Sequence, residues 1–78
     1  MLDRALHHLV REIVDHPEAV VVKSIQTPRG ELVEVRVHPD DLGRVIGRSG
    51  RNAKALRTIT NALAGGRKVR VDVVDTES

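Results

Sequence analysis

The string Val-Ile-Gly-Arg-Ser-Gly at residues 45–50 runs straight into Arg-Asn-Ala-Lys-Ala-Leu-Arg-Thr-Ile, so two helical segments must meet across a four-residue corner bounded by glycines. Few local features restrict a fold as tightly. Glycine accepts positive φ and leaves room for another backbone to come close, so Gly47 can end one helix and Gly50 can open the next. The first amides of a new helix lack internal partners, and the positive end of its dipole lies there too. That combination attracts phosphate. Arg48 stands within the corner, Arg44 just before it, and Arg51, Lys54 and Arg57 on the turns that follow. Other phosphate loops fit worse. The P-loop string GxxxxGK[ST] does not occur, and GRVIGRSG lacks the GxGxxG spacing and lies between helices rather than after a strand.

The flanking segments place this corner in an α+β domain. Leu2, Ala5, Leu6, Leu9, Val10, Ile13 and Val14 follow a helical period, and Pro17 is expected to end that helix. Ala19 to Gln26 is β-branched and apolar, TPRG is turn chemistry, and Leu32 to His38 alternates with Val33, Val35 and Val37 on one face; together they predict a hairpin. PDDLGRVIG reads as a short helix, with Pro39 at its first position, Asp40 and Asp41 favouring its positive start, and Leu42, Val45 and Ile46 as its buried edge. Arg51 to Ala64 is a second helix, with Ala53, Leu56, Ile59, Thr60 and Leu63 expected inward. AGGRK breaks it, and Val69 to Val74 forms a last strand. The order is α-β-β-α-α-β. Helices should cover one face of a three-stranded mixed sheet, its last strand returned parallel by a right-handed crossover. Residues 1–78 read as one domain, with 76–78 a short tail.

Composition narrows the function classes. A chain this short buries only about 60% of its unfolded surface, so a deep catalytic cavity is not expected. There are no cysteines to hold a metal or form a disulfide, no apolar run of membrane-spanning length and no signal-peptide core at the start, which predicts a cytoplasmic protein without a membrane partner. Charge is unevenly placed: residues 43–71 carry eight basic residues and no acid, whereas residues 1–42 carry eight acids against five basic residues. Such a block is the footprint expected of a polyanion ligand. The total absence of Phe, Tyr and Trp excludes base stacking on aromatic side chains, the mode of RNP-type sheets and single-strand-binding OB folds.

VIGRSGRNAKALRTI resembles the core of a KH domain, whose GxxG loop clamps the backbone of about four nucleotides. The element order is similar to the type II arrangement, and the likeness spans roughly residues 1–75. It is nearest to the small bacterial proteins made of a single KH domain. The resemblance implies that Gly47, Arg48, Ser49 and Gly50 form the backbone clamp. It also implies that Val45 and Ile46 wall the base groove and that Ala53 and Lys54 lie on the opposing helix. Where the general pattern has isoleucine, Ala53 stands here, as in the small bacterial group. The resemblance puts a variable loop at AGGRK, with Arg67 and Lys68 as further phosphate contacts. It implies a non-catalytic single-stranded RNA-binding protein, an RNA chaperone or post-transcriptional regulator connected with cell shape and cell-wall homeostasis. Homodimers, and pairing with a larger RNA-binding protein that carries its own KH domain, are implied as well. Two alternatives stay open: a protein-interaction adaptor and a ribosome-assembly factor.

Other polar residues offer less. His7 and His8 face different directions on a helix, while His16 and His38 each precede a proline, so no metal site is expected. Asp40 and Asp41 are accounted for as a helix start. Ser49 has no base beside it in sequence, so neither catalysis nor a cofactor is expected.

Overall fold

Three valines at alternate positions, Val33, Val35 and Val37, have no exposed surface and occupy the middle strand of a three-stranded sheet in the computed structural model, which describes residues 2–77. The elements are α1 (Leu2–Arg11), a 3-10 turn at Pro17–Ala19, β1 (Val21–Thr27), β2 (Gly30–Val37), α2 (Pro39–Ile46), a 3-10 turn at Arg48–Gly50, α3 (Arg51–Ala64) and β3 (Val69–Asp75). β1 pairs antiparallel with β2, setting Val22 opposite Val35, and β2 pairs parallel with β3, setting Val33 opposite Val71. The strand order β1-β2-β3 leaves one free edge on β1 and one on β3. This is the α+β, mixed-sheet arrangement that the period of the apolar residues predicts.

The helices lie on the face of the sheet that carries those valines. Leu6 and Val10 of α1, Val45 of α2, and Leu56 and Ala64 of α3 join Val20, Val33, Val35, Val37 and Val71 in one core. Each fully buried Val or Leu contributes about 1.5–3 kcal/mol relative to exposure. With no aromatic ring to accommodate, the core consists of small aliphatic groups. Among the described residues no helix covers the opposite face of the sheet, where Val21 and Ile25 are 41% and 42% exposed. Among the described residues no helix is long and apolar enough to cross a membrane.

Four expectations need correction. α1 ends at Arg11, well before Pro17, because the chain turns at Val10, whose carbonyl accepts the Ile13 N–H at 3.0 Å. It then delivers the amides of Asp15 and His16 to the Asp41 carboxylate, at 3.2 and 3.0 Å. Asp41 is consequently more than a helix-start residue: it is 1% exposed and ties the segment after α1 to α2. The inward stripe of α3 is Leu56, Thr60 and Ala64, spaced four residues apart, whereas Ile59 and Leu63 are 39% and 55% exposed. Thr60 tolerates burial because its hydroxyl donates to the Leu56 carbonyl at 2.7 Å. Finally, His38 leaves the strand to cap α2, its Nδ1 accepting the Asp40 N–H at 3.1 Å. Thr76 is still held to the sheet by its N–H to the Val37 carbonyl at 2.9 Å; Ser78 and the Leu2 side chain lie outside the described residues.

Candidate nucleic-acid interface

At the corner, the last amide of α2 is that of Gly47, which donates to the Gly43 carbonyl at 2.8 Å. Gly47 then takes φ 78°, and a Cβ there would lie 2.9 Å from the Asn52 amide nitrogen, so only glycine lets the two backbones meet. Ser49 and Gly50 follow in the left-handed region at φ 56° and 73°, and the Gly50 N–H closes the turn on the Gly47 carbonyl at 3.1 Å. Asn52 Nδ2 reaches back to the Arg44 carbonyl at 2.8 Å and clasps the two helices together. α3 starts with no side-chain cap and no acid in its first turn. The Arg51 N–H already donates to the Arg48 carbonyl, so what the start of α3 adds to the corner is the positive end of its dipole.

The cations around this turn fall into two groups. Arg48, Arg51, Lys54 and Arg57 are exposed, and among the described residues none has a salt-bridge partner. Arg44 differs, because its Nη1 lies 2.8 Å from Asp15 Oδ1. Val45 has no exposed surface: it lies in the core, as the helical period expects, and cannot wall a base groove as the resemblance implies, whereas Ile46 and Ala53 are half-buried. Beyond them, Lys54, Arg57 and Asn61 follow one another at helical spacing down α3. A hollow of about 310 Å³ opens between α3 and β3, lined by Arg57, Asn61, Val69, Arg70, Val71 and Asp72. Asn61 and Arg70 are additions to the residues picked from sequence. Arg70 was legible as the polar partner of Val69 and Val71 in an alternating strand, and Asn61 as the residue one turn after Arg57.

The loop after α3 turns through Gly65 and Gly66 at φ 62° and 92°. Its two cations are used differently. Arg67 Nε donates to the Ala64 carbonyl at 3.2 Å and its Nη1 lies 3.6 Å from Glu31 Oε1, whereas exposed Lys68 has no acidic partner among the described residues.

A different cluster forms at the opposite end of α2. His16 and His38 stack with ring centroids 4.0 Å apart, and donor atoms from both and from Asp40 lie within 4.8 Å of one another. Sequence spacing hides this, since the two histidines come from separate loops. The His38 Nδ1 lone pair is already engaged by the Asp40 amide, so the arrangement serves as a helix cap. Burial pushes the Asp41 carboxyl up, but the amides it accepts from Asp15 and His16, with the His16 and His38 rings beside it, outweigh burial and hold the group below its ordinary value.

A family model described as the KH domain of KhpA and KhpB matches residues 3–74. The chain is 68% identical over 75 residues to a Leifsonia xyli protein named RNA-binding protein KhpA, covering 96% of this chain and 99% of that one. A Streptomyces coelicolor protein of the same name is 61% identical over 77 residues, covering 99% and 96%. One from Mycobacterium tuberculosis, again so named, is 62% identical over 73 residues, covering 94% and 90%.

Proposed function

Since the chain belongs to the KhpA/KhpB KH-domain family, we propose that it binds single-stranded RNA, with the Gly47–Gly50 corner holding the phosphodiester backbone. The observation that carries this reading is the set of four exposed cations, Arg48, Arg51, Lys54 and Arg57, without an acidic partner among the described residues, at and after a positive-φ turn that opens a helix. Phosphates lie over the turn, where Arg48, Arg51 and Lys54 surround them, and bases rest on Ile46 and Ala53. The clamp recognises backbone geometry rather than base edges, so sequence discrimination is low. With three or four phosphates neutralised, log K falls with log salt at a slope of about −2 to −3. Nothing in this scheme turns over a substrate: the chain is a binding protein, not an enzyme.

A single weak groove gains from a second one through effective concentration. This supports homodimers, or pairing with a larger KH-containing RNA-binding protein, in a cytoplasmic RNA chaperone that acts on cell shape and cell-wall homeostasis. Exposed Ile59 and Leu63 on α3 supply apolar surface for such a contact. Sedimentation at micromolar concentration, with and without RNA, should show a dimer; a strict monomer in both would remove that part of the reading.

The test of RNA binding is the double substitution Arg48→Asp with Ser49→Asp. Both residues are exposed, so the melting temperature should hold while affinity for a labelled single-stranded RNA falls more than tenfold. Unchanged affinity would place the interface elsewhere.

A further inference from the structure

We propose that Asn52 is a positioning residue for RNA binding: its side-chain amide fixes the angle at which α3 leaves the glycine corner, from behind the surface that meets the strand. This rests on the RNA-binding reading above and adds to it a residue that carries no charge and touches no phosphate.

The first support is where the bond falls. The last amide to close on α2 is that of Gly47, at the Gly43 carbonyl, 2.8 Å away. The next acceptor along is the Arg44 carbonyl, one of the helix-end carbonyls left without an intrahelical amide. Asn52 Nδ2 donates to it at 2.8 Å. Inside the corner the closing bonds are short-range, from the Gly50 N–H to the Gly47 carbonyl and from the Arg51 N–H to the Arg48 carbonyl. Among the described residues, the Asn52 bond is the one hydrogen bond that joins α3 to α2.

The second support is backbone angle. Gly47, Ser49 and Gly50 take φ of 78°, 56° and 73°. Such angles persist where the surrounding structure over-determines them. Asn52 supplies that constraint: a Cβ on Gly47 would lie 2.9 Å from both its amide nitrogen and its Cγ. Asn52 thus backs the first glycine while its Nδ2 holds the carbonyl three residues earlier.

The third support is orientation and charge. Asn52 shares a hollow of about 260 Å³ with Leu9, Ile13, Ala55 and Ile59, on the α1 side of α3. Ala53 and Lys54 follow at about 100° and 200° around the helix, so the clasp and the binding face point different ways. The first turn of a helix favours an acid. A carboxylate here, however, could not donate to the Arg44 carbonyl and would repel phosphate. α3 has no acid in that turn, and asparagine provides a donor without a charge. A corner held in one shape loses little conformational freedom when the strand arrives, which raises affinity.

The experiment measures single-stranded RNA affinity across a salt series, amide hydrogen exchange and melting curves for the full chain carrying Asn52→Ala or Asn52→Leu. Neither side chain can donate, and leucine keeps the bulk. Both should weaken RNA binding by roughly threefold to tenfold. The salt slope should equal that of the wild type, because every cation remains. Exchange at the Gly47 and Gly50 amides should quicken by about threefold or more while β2 keeps its protection, and saturating RNA should restore the corner. Arg44→Ala keeps the accepting carbonyl and should exchange at the corner as the wild type does. Wild-type affinity in Asn52→Leu would assign the effect to bulk and overturn the proposal. A reduced salt slope would do the same by marking a lost phosphate contact, as would faster exchange throughout the chain with affinity intact. If Arg48→Asp with Ser49→Asp loses binding while both Asn52 variants keep it, the clasp is wrong and the corner stands. If the wild type binds no RNA, both readings fall.

Discussion

At the start of α2 the Asp41 carboxylate is buried and takes the amides of Asp15 and His16, with two stacked imidazoles beside it. Past the end of the same helix, Arg48 and Arg51 are exposed with no counter-charge among the described residues, around a positive-φ turn. One helix of eight residues thus separates a place where charge is matched inside the fold from one where it is left for something else. A buried carboxylate without partners is costly, so the first end must be complete in the folded chain. Exposed cations cost little unpaired, so the second end can await a polyanion. Charge that a fold leaves unmatched distinguishes the two ends of α2 better than the count of charges does.

Substitution at Asp41 should produce the largest effect. Asp41→Ala strands two amides and is expected to lower the melting temperature by roughly 10 °C, while RNA affinity measured well below that temperature stays within twofold. A melting temperature equal to that of the wild type would show that the carboxylate does not hold the first end. The pH dependence has a definite sign. The folded Asp41 titrates below its ordinary value of 3.8, so its contribution is fully present above that pH and is lost as pH falls through the folded value. Asp41→Asn should flatten the acid limb of a stability-versus-pH curve.

At the other end, Gly47→Ala sets a Cβ against the Asn52 amide in a positive-φ position and should cost about 2 kcal/mol or more, along with binding. Gly50→Ala meets open space and bears only the conformational penalty, about 1 kcal/mol, so chemical denaturation of the pair separates close approach from backbone angle.

A finer contrast sets Arg48 against Arg44. Arg48→Ala should weaken RNA binding by roughly threefold to tenfold and reduce the salt slope by ~0.7, whereas Arg44→Ala, already neutralised by Asp15, should change affinity by less than about twofold. Equal losses would erase the distinction between matched and unmatched cations. The smallest effect is the Arg44–Asp15 pair itself. Both side chains are more than half exposed, so a double-mutant cycle should find at most ~1 kcal/mol, declining with salt.

The corner was legible because its causes are local. Gly47 and Gly50 follow an apolar pair and precede a helical repeat, and their backbone angles answer to sterics within a few residues. The strands were equally readable, since Val33, Val35 and Val37 show their face by alternation. Periodicity misled on α3, where Ile59 and Leu63 are apolar at plausible spacing, yet the helix settles with Leu56, Thr60 and Ala64 inward. Rotating a helix about its axis depends on what it packs against, and Thr60 could turn inward because its hydroxyl bonds its own helix. For Val45 the two readings pulled apart: the helical period set it on the buried edge of α2, where it lies, whereas the resemblance made it a wall of the base groove. The end of α1 was hidden too, because what draws the chain away is a carboxylate more than 20 residues further on.

Sequence alone determined the element order, the mixed sheet and the position of the glycine corner, because steric limits and side-chain periodicity act between near neighbours. Only the tertiary structure decided how charges are matched: Arg44 against Asp15, Arg67 against Glu31, and Asp41 beneath two amides. Coulomb attraction and hydrogen bonding depend on distance through space, and that distance is set when the strands pair and the helices dock, not by separation along the chain.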